Sequence, residues 1–157
     1  MEIYKQGNVT IRTATAEDVE ALKDHLRTED EQEVIAAGFE SSATALAYSF
    51  EKSSEAFTIE RDGVPCGIFG IVPETILGPT ANIWFLGSEG MGDIKKTFVK
   101  MSIPMVGDFL KRYPTLWGLV DARYSSTVKW LRFIGARFDH EVKLGGNHFR
   151  VFSFRRA

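Results

Sequence analysis

Leu116-Trp117-Gly118-Leu119-Val120-Asp121-Ala122-Arg123, followed after a short gap by Trp130-Leu131-Arg132-Phe133-Ile134-Gly135-Ala136-Arg137-Phe138, is the stretch whose reading decides the fold. Leu116 to Val120 is a short uncharged run and reads as a buried strand. Ser125 and Ser126 can cap a helix, because a hydroxyl accepts hydrogen bonds from the amides left free in a first turn. Val128, Leu131 and Ile134 then recur at helical spacing, and Gly135 supplies the stop. Phe138 to Leu144 and His148 to Phe154, joined by Gly145-Gly146-Asn147, make a closing hairpin.

Working back from this segment, Ile94, Phe98, Met101, Met105 and Phe109 predict a long helix over 93–113, with Pro104 as a kink and Pro114 as the stop. Ala81 to Leu86 is an aromatic-rich strand ending at Gly87. Before it, Phe57 to Glu60 and Gly67 to Val72 flank Asp62-Gly63, a dipeptide that supplies the left-handed backbone of a tight hairpin. Pro73 stops the second of these strands, and Gly78-Pro79 makes a loop. At the start, Val9 to Arg12 reads as a strand. Thr15, with Glu17 and Asp18 behind it, opens a helix running through Ala21, Leu22 and Leu26. Ser41 and Ser42 precede a second helix carrying Ala43, Leu46, Ala47 and Phe50. The acidic stretch Thr28 to Glu33 between the two reads as a solvated loop rather than as a patch steering a cationic amine or a basic protein partner. The order is therefore strand, two helices, three antiparallel strands, helix, strand, helix and two strands.

Composition narrows the function classes. The 157 residues are 44% hydrophobic and 25% charged, proportions suited to one globular α+β domain over 1–157. A formal net charge of -2 offers no cationic footprint for nucleic acid. No apolar run reaches the roughly 20 residues of a membrane span, and Glu2, Tyr4 and Lys5 do not begin a signal-peptide pattern, so export by the usual route is not expected. Cys66, the single cysteine, lies between Pro65 and Gly67 in a strand-like run and reads as a buried structural thiol. His25, His140 and His148 have no metal-ligand spacing, and no metal is expected. The aromatic residues Trp84, Phe85, Trp117, Trp130, Phe133, Phe149, Phe152 and Phe154 read as core rather than as a stacking platform for bases.

The opening Ile11-Arg12-Thr13-Ala14-Thr15-Ala16-Glu17-Asp18, the order of elements and the 120–138 segment together resemble the GCN5-related N-acetyltransferase (GNAT) superfamily over nearly the whole chain. The resemblance implies a mixed, mostly antiparallel central sheet flanked by helices. A second likeness covers the C-terminal half: Trp84-Phe85, Lys111-Arg112-Tyr113-Pro114-Thr115-Leu116-Trp117 and Phe133-Ile134-Gly135-Ala136-Arg137-Phe138 are similar to the small internal virion proteins of T7-like podoviruses. That likeness implies a phage-encoded protein made in the host cytoplasm during infection, carried in the virion or used in its assembly, with virion or assembly proteins as partners.

The GNAT resemblance implies acetyl-CoA as cofactor. Its pyrophosphate would be received at the helix start after the fourth strand of the superfamily pattern, where free amides and the helix dipole meet an anion. Here that place reads Gly87-Ser88-Glu89-Gly90-Met91-Gly92-Asp93. Gly90 and Gly92 match the pattern, Gly87 stands where it has Gln or Arg, and Glu89 and Asp93 add carboxylates that oppose a pyrophosphate. By this resemblance Gly90, Met91, Gly92 and Asp93 would receive the pyrophosphate and the Leu86 backbone would hold the pantetheine, with Lys95 and Lys96 close enough to neutralise phosphates. The plainer reading is a flexible glycine loop with Asp93 capping the helix. Acetyl transfer also needs a base and commonly a tyrosine acid. The family's tyrosine position falls in Trp130-Leu131-Arg132, which leaves Tyr124 as substitute acid and Glu74, or Glu60, as base. Two functions follow: a virion-associated or assembly-stage protein on a GNAT scaffold with an eroded acyl-CoA site, or an active N-acetyltransferase acting on an amine of a small molecule or protein. The edge of the C-terminal hairpin offers a route to a homo-oligomer.

Overall fold

Both two-residue turns form, and the backbone angles give the reason. Asp62 and Gly63 have φ of 51° and 81°, and Gly145 and Gly146 have 54° and 82°. Paired positive angles belong to type I′ turns, whose twist matches that of the strands they join. The computed structural model describes residues 2–75 and 78–156. Its elements are β1 (Glu2–Gln6), β2 (Val9–Thr13), α1 (Ala16–Leu22), α2 (Thr28–Ala36), α3 (Ser42–Lys52), β3 (Glu55–Arg61), β4 (Val64–Pro73), β5 (Thr80–Gly87), a 3-10 turn (Glu89–Ile94), α4 (Lys95–Arg112), β6 (Thr115–Asp121), α5 (Ser125–Phe133), β7 (Arg137–Leu144) and β8 (Asn147–Arg155).

The strands form one eight-stranded sheet in the order β1-β2-β3-β4-β5-β6-β8-β7. Every neighbouring pair is antiparallel except β5 with β6. Helices cover both faces. On one, Phe57, Phe69 and Phe152 of the sheet pack against Phe98, Met105 and Phe109 of α4. On the other, Val19 and Leu22 of α1 and Leu46 of α3 pack on Ile68 and Leu86. Among the described residues no helix is long and apolar enough to cross a membrane.

Local chemistry accounts for the helix starts. Thr15 and Asp18 form a reciprocal capping box at α1, and the Ser41 hydroxyl accepts from the Thr44 amide at α3. Six features differ from the sequence reading. The first is β1, a short polar edge strand without an alternating signal. The second is α2, which stands where a solvated loop was expected; its acids Glu29, Asp30 and Glu31 fall in the first turn, where the helix dipole favours them. The third is that α1 stops at Leu22, and Leu26 instead makes a single bridge to Ser88. The fourth is that Asp93 does not cap α4: the chain makes a 3-10 turn through Ile94, and α4 begins at Lys95 without a side-chain cap. In α5 the serines occupy the first turn and make no cap bond. Phe133 is 68% exposed rather than part of the core.

Candidate functional site

The parallel pair β5 and β6 is joined over only Thr80↔Thr115, Ala81↔Leu116 and Asn82↔Trp117, although β5 continues to Gly87 and β6 to Asp121. Beyond that point the strands part, and the opening leads into a cavity of about 780 Å³. Phe85, Phe98, Trp130 and Phe152 form much of its apolar wall. Phe85 and Trp130 meet edge to face at 5.8 Å, and both rings pack on Phe98 at 5.7 Å. At the neck of the split sits Gly118, where a Cβ would lie 2.5 Å from the Phe152 ring and 2.9 Å from the Ile83 carbonyl oxygen. Only glycine fits that approach.

Helix α2 ties the two parted strands together. On the β5 side the Gly87 amide donates to Asp30 Oδ2 at 2.8 Å, and the Arg27 amide donates to the Gly87 carbonyl at 2.8 Å. The Arg27 guanidinium holds Asp30 through bonds of 2.8 and 2.9 Å. On the β6 side the Asp121 amide donates to Glu33 Oε2 at 3.2 Å, and the Tyr124 hydroxyl donates to Gln32 Oε1 at 2.8 Å. The fully buried Asp121 carboxylate turns to Arg123, accepting bonds of 2.6 to 3.1 Å.

These three acids are displaced in different directions because they differ in compensation. Burial raises Asp30, and Arg27 offsets that only in part. Glu33 is pushed up to about 7, mainly by burial and further by the negative charges of Asp30 and Asp121, against one backbone bond that favours its anion. Burial also acts on Asp121, but the Arg123 bonds outweigh it and hold its carboxyl below the ordinary range. Glu33 is therefore poised to exchange a proton near neutral pH.

The residues singled out from sequence fall around this split unevenly. Gly87 to Asp93 does lie at its mouth, yet Met91 points into the core and Gly90 packs against Cys66, with a Cβ there 3.3 Å from the cysteine Cβ. Gly92 is open, and Asp93 is paired with Arg61. Leu86 turns its amide the other way. Because Ser88 donates to Cys66 of β4 and Gly87 donates to Asp30, alternation along β5 sends the Leu86 amide to β4. Lys95 lines the cavity; Lys96 is exposed.

Tyr124 and Glu74 both line the cavity but are held by different partners. Glu74 follows the end of β4 and accepts from the Trp117 indole, while Tyr124 lies three residues past the end of β6 and donates to Gln32 of α2. Burial raises the Tyr124 hydroxyl despite the adjacent Arg123. Glu60 is paired with Arg12 at 3.1 Å. The Cys66 thiol is buried and pushed up to about 11 by that burial, which makes it inert. Sequence reasoning placed Asp30 and Glu33 in a solvated loop, although acids at a helix start are a local signal for α2; it read Trp130 only as core, and the buried N–H of that indole has no partner among the described residues.

The fold of this chain is the GNAT fold. A GNAT acetyltransferase from Bacillus anthracis superimposes with a TM-score of 0.71 at 14% identity, covering 99% of this chain and 98% of that one. A ribosomal L7/L12 alpha-N-protein acetyltransferase, RimL, in complex with coenzyme A gives 0.71 at 8% identity, with 99% and 98% covered. A GNAT from Kribbella flavida gives 0.69 at 14% identity, with 95% and 98% covered. In sequence the chain is 28% identical over 122 residues to a probable scaffold protein, gp13, of Escherichia phage T7, covering 75% of this chain and 83% of that one. No family model matches.

Proposed function

We propose that this chain is an assembly-stage protein of a bacteriophage, working through protein contacts on a GNAT scaffold whose acyl-CoA cleft has been closed from within. The observation that carries this reading is the α2 clasp. The amides of Gly87 and Asp121, which face the split, already donate to Asp30 and Glu33 of the same chain. A ligand entering there would have to displace the buried Asp30 and the half-buried Glu33 and re-satisfy both amides. The mouth adds Glu89, and Asp93 stands beside it, although Arg61 offsets that charge. Like charge at a few ångströms costs a pyrophosphate on the order of a kcal/mol per contact in a solvent-facing site. The sequence similarity to a phage scaffold protein supports the assembly context and the virion or assembly proteins as partners.

A second reading, an N-acetyltransferase using acetyl-CoA, draws on the cavity, the lysine at its wall and the near-neutral carboxyl of Glu33. Isothermal titration with acetyl-CoA separates the two, with a Gly90→Glu, Gly92→Glu double variant as site control. The assembly reading expects no heat of binding at micromolar concentrations. It also expects the tagged chain to co-sediment with capsid intermediates from cells infected by the phage that encodes it. Micromolar binding that the double variant loses, with no co-sedimentation, would replace it by the enzyme.

A further inference from the structure

Arginine is used unevenly across the molecule. Arg12, Arg27, Arg61, Arg112 and Arg123 each hold a carboxylate. Arg155 lies 3.8 Å from Asp139, and Arg156 donates to the carbonyls of Leu110 and Lys111. Arg132, in the last turn of α5, and Arg150, on β8, are paired with no acid among the described residues. They meet instead over one ring: their guanidinium carbons lie 5.1 and 4.6 Å from the centroid of Phe138 on β7. A guanidinium stacked on a ring uses its face and keeps its in-plane N–H donors, which match a carboxylate in a bidentate fork. Lys129 comes three residues before Arg132 and four before Phe133, so the three share one exposed face of α5, on which Phe133 is 68% exposed.

Arg132 alone would be ordinary, because a cation at a helix C-terminus meets the negative end of the dipole and its stem covers apolar surface. That explains neither Arg150, which belongs to a strand, nor the exposed Phe133 beside Arg132. Arginine with an accessible aromatic ring is the composition of an interface centre. Charge sets the partner. The two carboxylates of β7 are directed elsewhere, Asp139 toward Arg155 and Glu141 toward His148, 3.7 Å away. A phosphate backbone, charged at every residue, would run against both acids, and a net charge of -2 gives it no wider footprint. A peptide can place carboxylates only where the guanidiniums are, with apolar side chains between them. The two guanidinium carbons are less than about 10 Å apart, a separation that about three residues of extended chain cover.

We propose that the corner formed by the exposed face of α5 and the β7–β8 hairpin docks an acidic segment of a protein partner, with carboxylates seated on Arg132 and Arg150 and an apolar side chain on Phe133. This rests on the reading of the chain as a protein that works through protein contacts, and it names the surface and the chemistry of the partner. Phe138 holds the two guanidiniums in place before the segment arrives, so little side-chain freedom is lost on docking. Lys129 adds a cation on the same helix face.

The test uses a pool of synthetic peptides randomised at every position, selected on the immobilised full-length chain and, in parallel, on Arg132→Gln and Phe133→Ser variants, whose substituted side chains are exposed. Peptides with two or more Asp or Glu around an apolar residue should be recovered at least tenfold more from the unaltered chain than from either variant. The Arg132 Nε–H signal, assigned in ¹H–¹⁵N spectra by comparison with Arg132→Gln, should shift when an enriched peptide is added. That spectrum is recorded on the unaltered chain and so does not depend on the variants folding. Equal recovery from the variants, enrichment without acidic residues, or an enriched peptide that leaves the Arg132 signal in place overturns the proposal. Retention of a short DNA duplex, or self-association of the chain in sedimentation, that Arg132→Gln abolishes would overturn it in favour of nucleic acid or of a second copy. The assembly reading fails separately, through acetyl-CoA binding without co-sedimentation.

Discussion

Asp18 and Glu33 are both helix-borne carboxylates packed on the same sheet, and their titration is displaced in opposite directions. Asp18 accepts two bonds of 2.7 Å from Arg12, one of 2.8 Å from the Thr15 amide and one of 2.8 Å from the Thr58 hydroxyl. Burial alone would raise it, but these partners outweigh burial and hold it at about 2. Glu33 has one backbone donor at 3.2 Å and two acids near it, and burial carries it to about 7. The first acid is complemented on every side and fastens α1 to β2 and β3. The second is left under-compensated where the sheet opens. A buried charge with its full set of partners belongs to the architecture, whereas one without them marks a place kept for something else.

The comparison is broken most severely at Asp18. Asp18→Asn removes the charge that the partly buried Arg12 faces and should cost about 3 kcal/mol. For a chain of this size that lowers the melting temperature by roughly 6–12 °C at pH 7. Because the native pKa is depressed from 3.8, this stabilisation is complete above the unfolded value and disappears as pH falls toward about 2. An acid titration of thermal stability in which the unaltered protein and Asp18→Asn run parallel through that window would contradict the account.

Glu33→Gln should act with the opposite sign. A carboxyl raised from 4.5 to about 7 binds its proton more tightly folded than unfolded, so its contribution is complete below about 4.5 and is lost as pH climbs through 7. At pH 8 the unaltered chain then carries a penalty of up to about 3 kcal/mol, which the amide avoids while still accepting from the Asp121 amide. Melts at pH 5 and pH 8 should show a gap for the unaltered protein and little gap for the variant. A destabilised variant at pH 8 would mean that the ionised clasp is favourable.

The neck of the split sharpens the contrast on a smaller scale. Gly118→Ala places a methyl against the Phe152 ring and the Ile83 carbonyl and should cost about 1–3 kcal/mol. Gly92→Ala, at the open mouth with nothing within 4 Å, should be neutral to within about 0.5 kcal/mol. Denaturant midpoints of the pair decide whether the packed neck or the glycine loop is the constrained part of the site.

Much of the fold was legible because the signals are local. Asp62-Gly63 and Gly145-Gly146 announce their turns, Thr15 and Asp18 their cap, and the 93–113 periodicity its helix. The site was not legible in the same way. Asp30 and Glu33 look like a solvated acidic run, because what buries them comes from far along the chain: the Gly87 amide 57 residues away and the Asp121 amide 88 residues away. The glycine loop was found by its resemblance to a pyrophosphate-binding start. Its conformation, a 3-10 turn with Met91 and Ile94 buried, depends on core contacts that no local pattern encodes. Leu86 shows the same limit at finer grain, since which side its amide faces is a matter of register with β4.

The smallest effect concerns Tyr124, and it bears on whether the β6 side of the split does chemistry at all. Its hydroxyl makes one bond, to Gln32 on α2, at a position water can reach. Tyr124→Phe should therefore change stability by about 0.5 kcal/mol or less, since solvent replaces the lost partner of Gln32. A tyrosine that protonated a leaving thiolate would behave differently: turnover with acetyl-CoA and a small amine would fall about 10²-fold or more while the melting temperature stayed in place. The clasp reading expects the first behaviour, with no amine acetylation to lose in either form. A drop in turnover without a drop in stability would make Tyr124 a working acid and α2 the wall of an acceptor site.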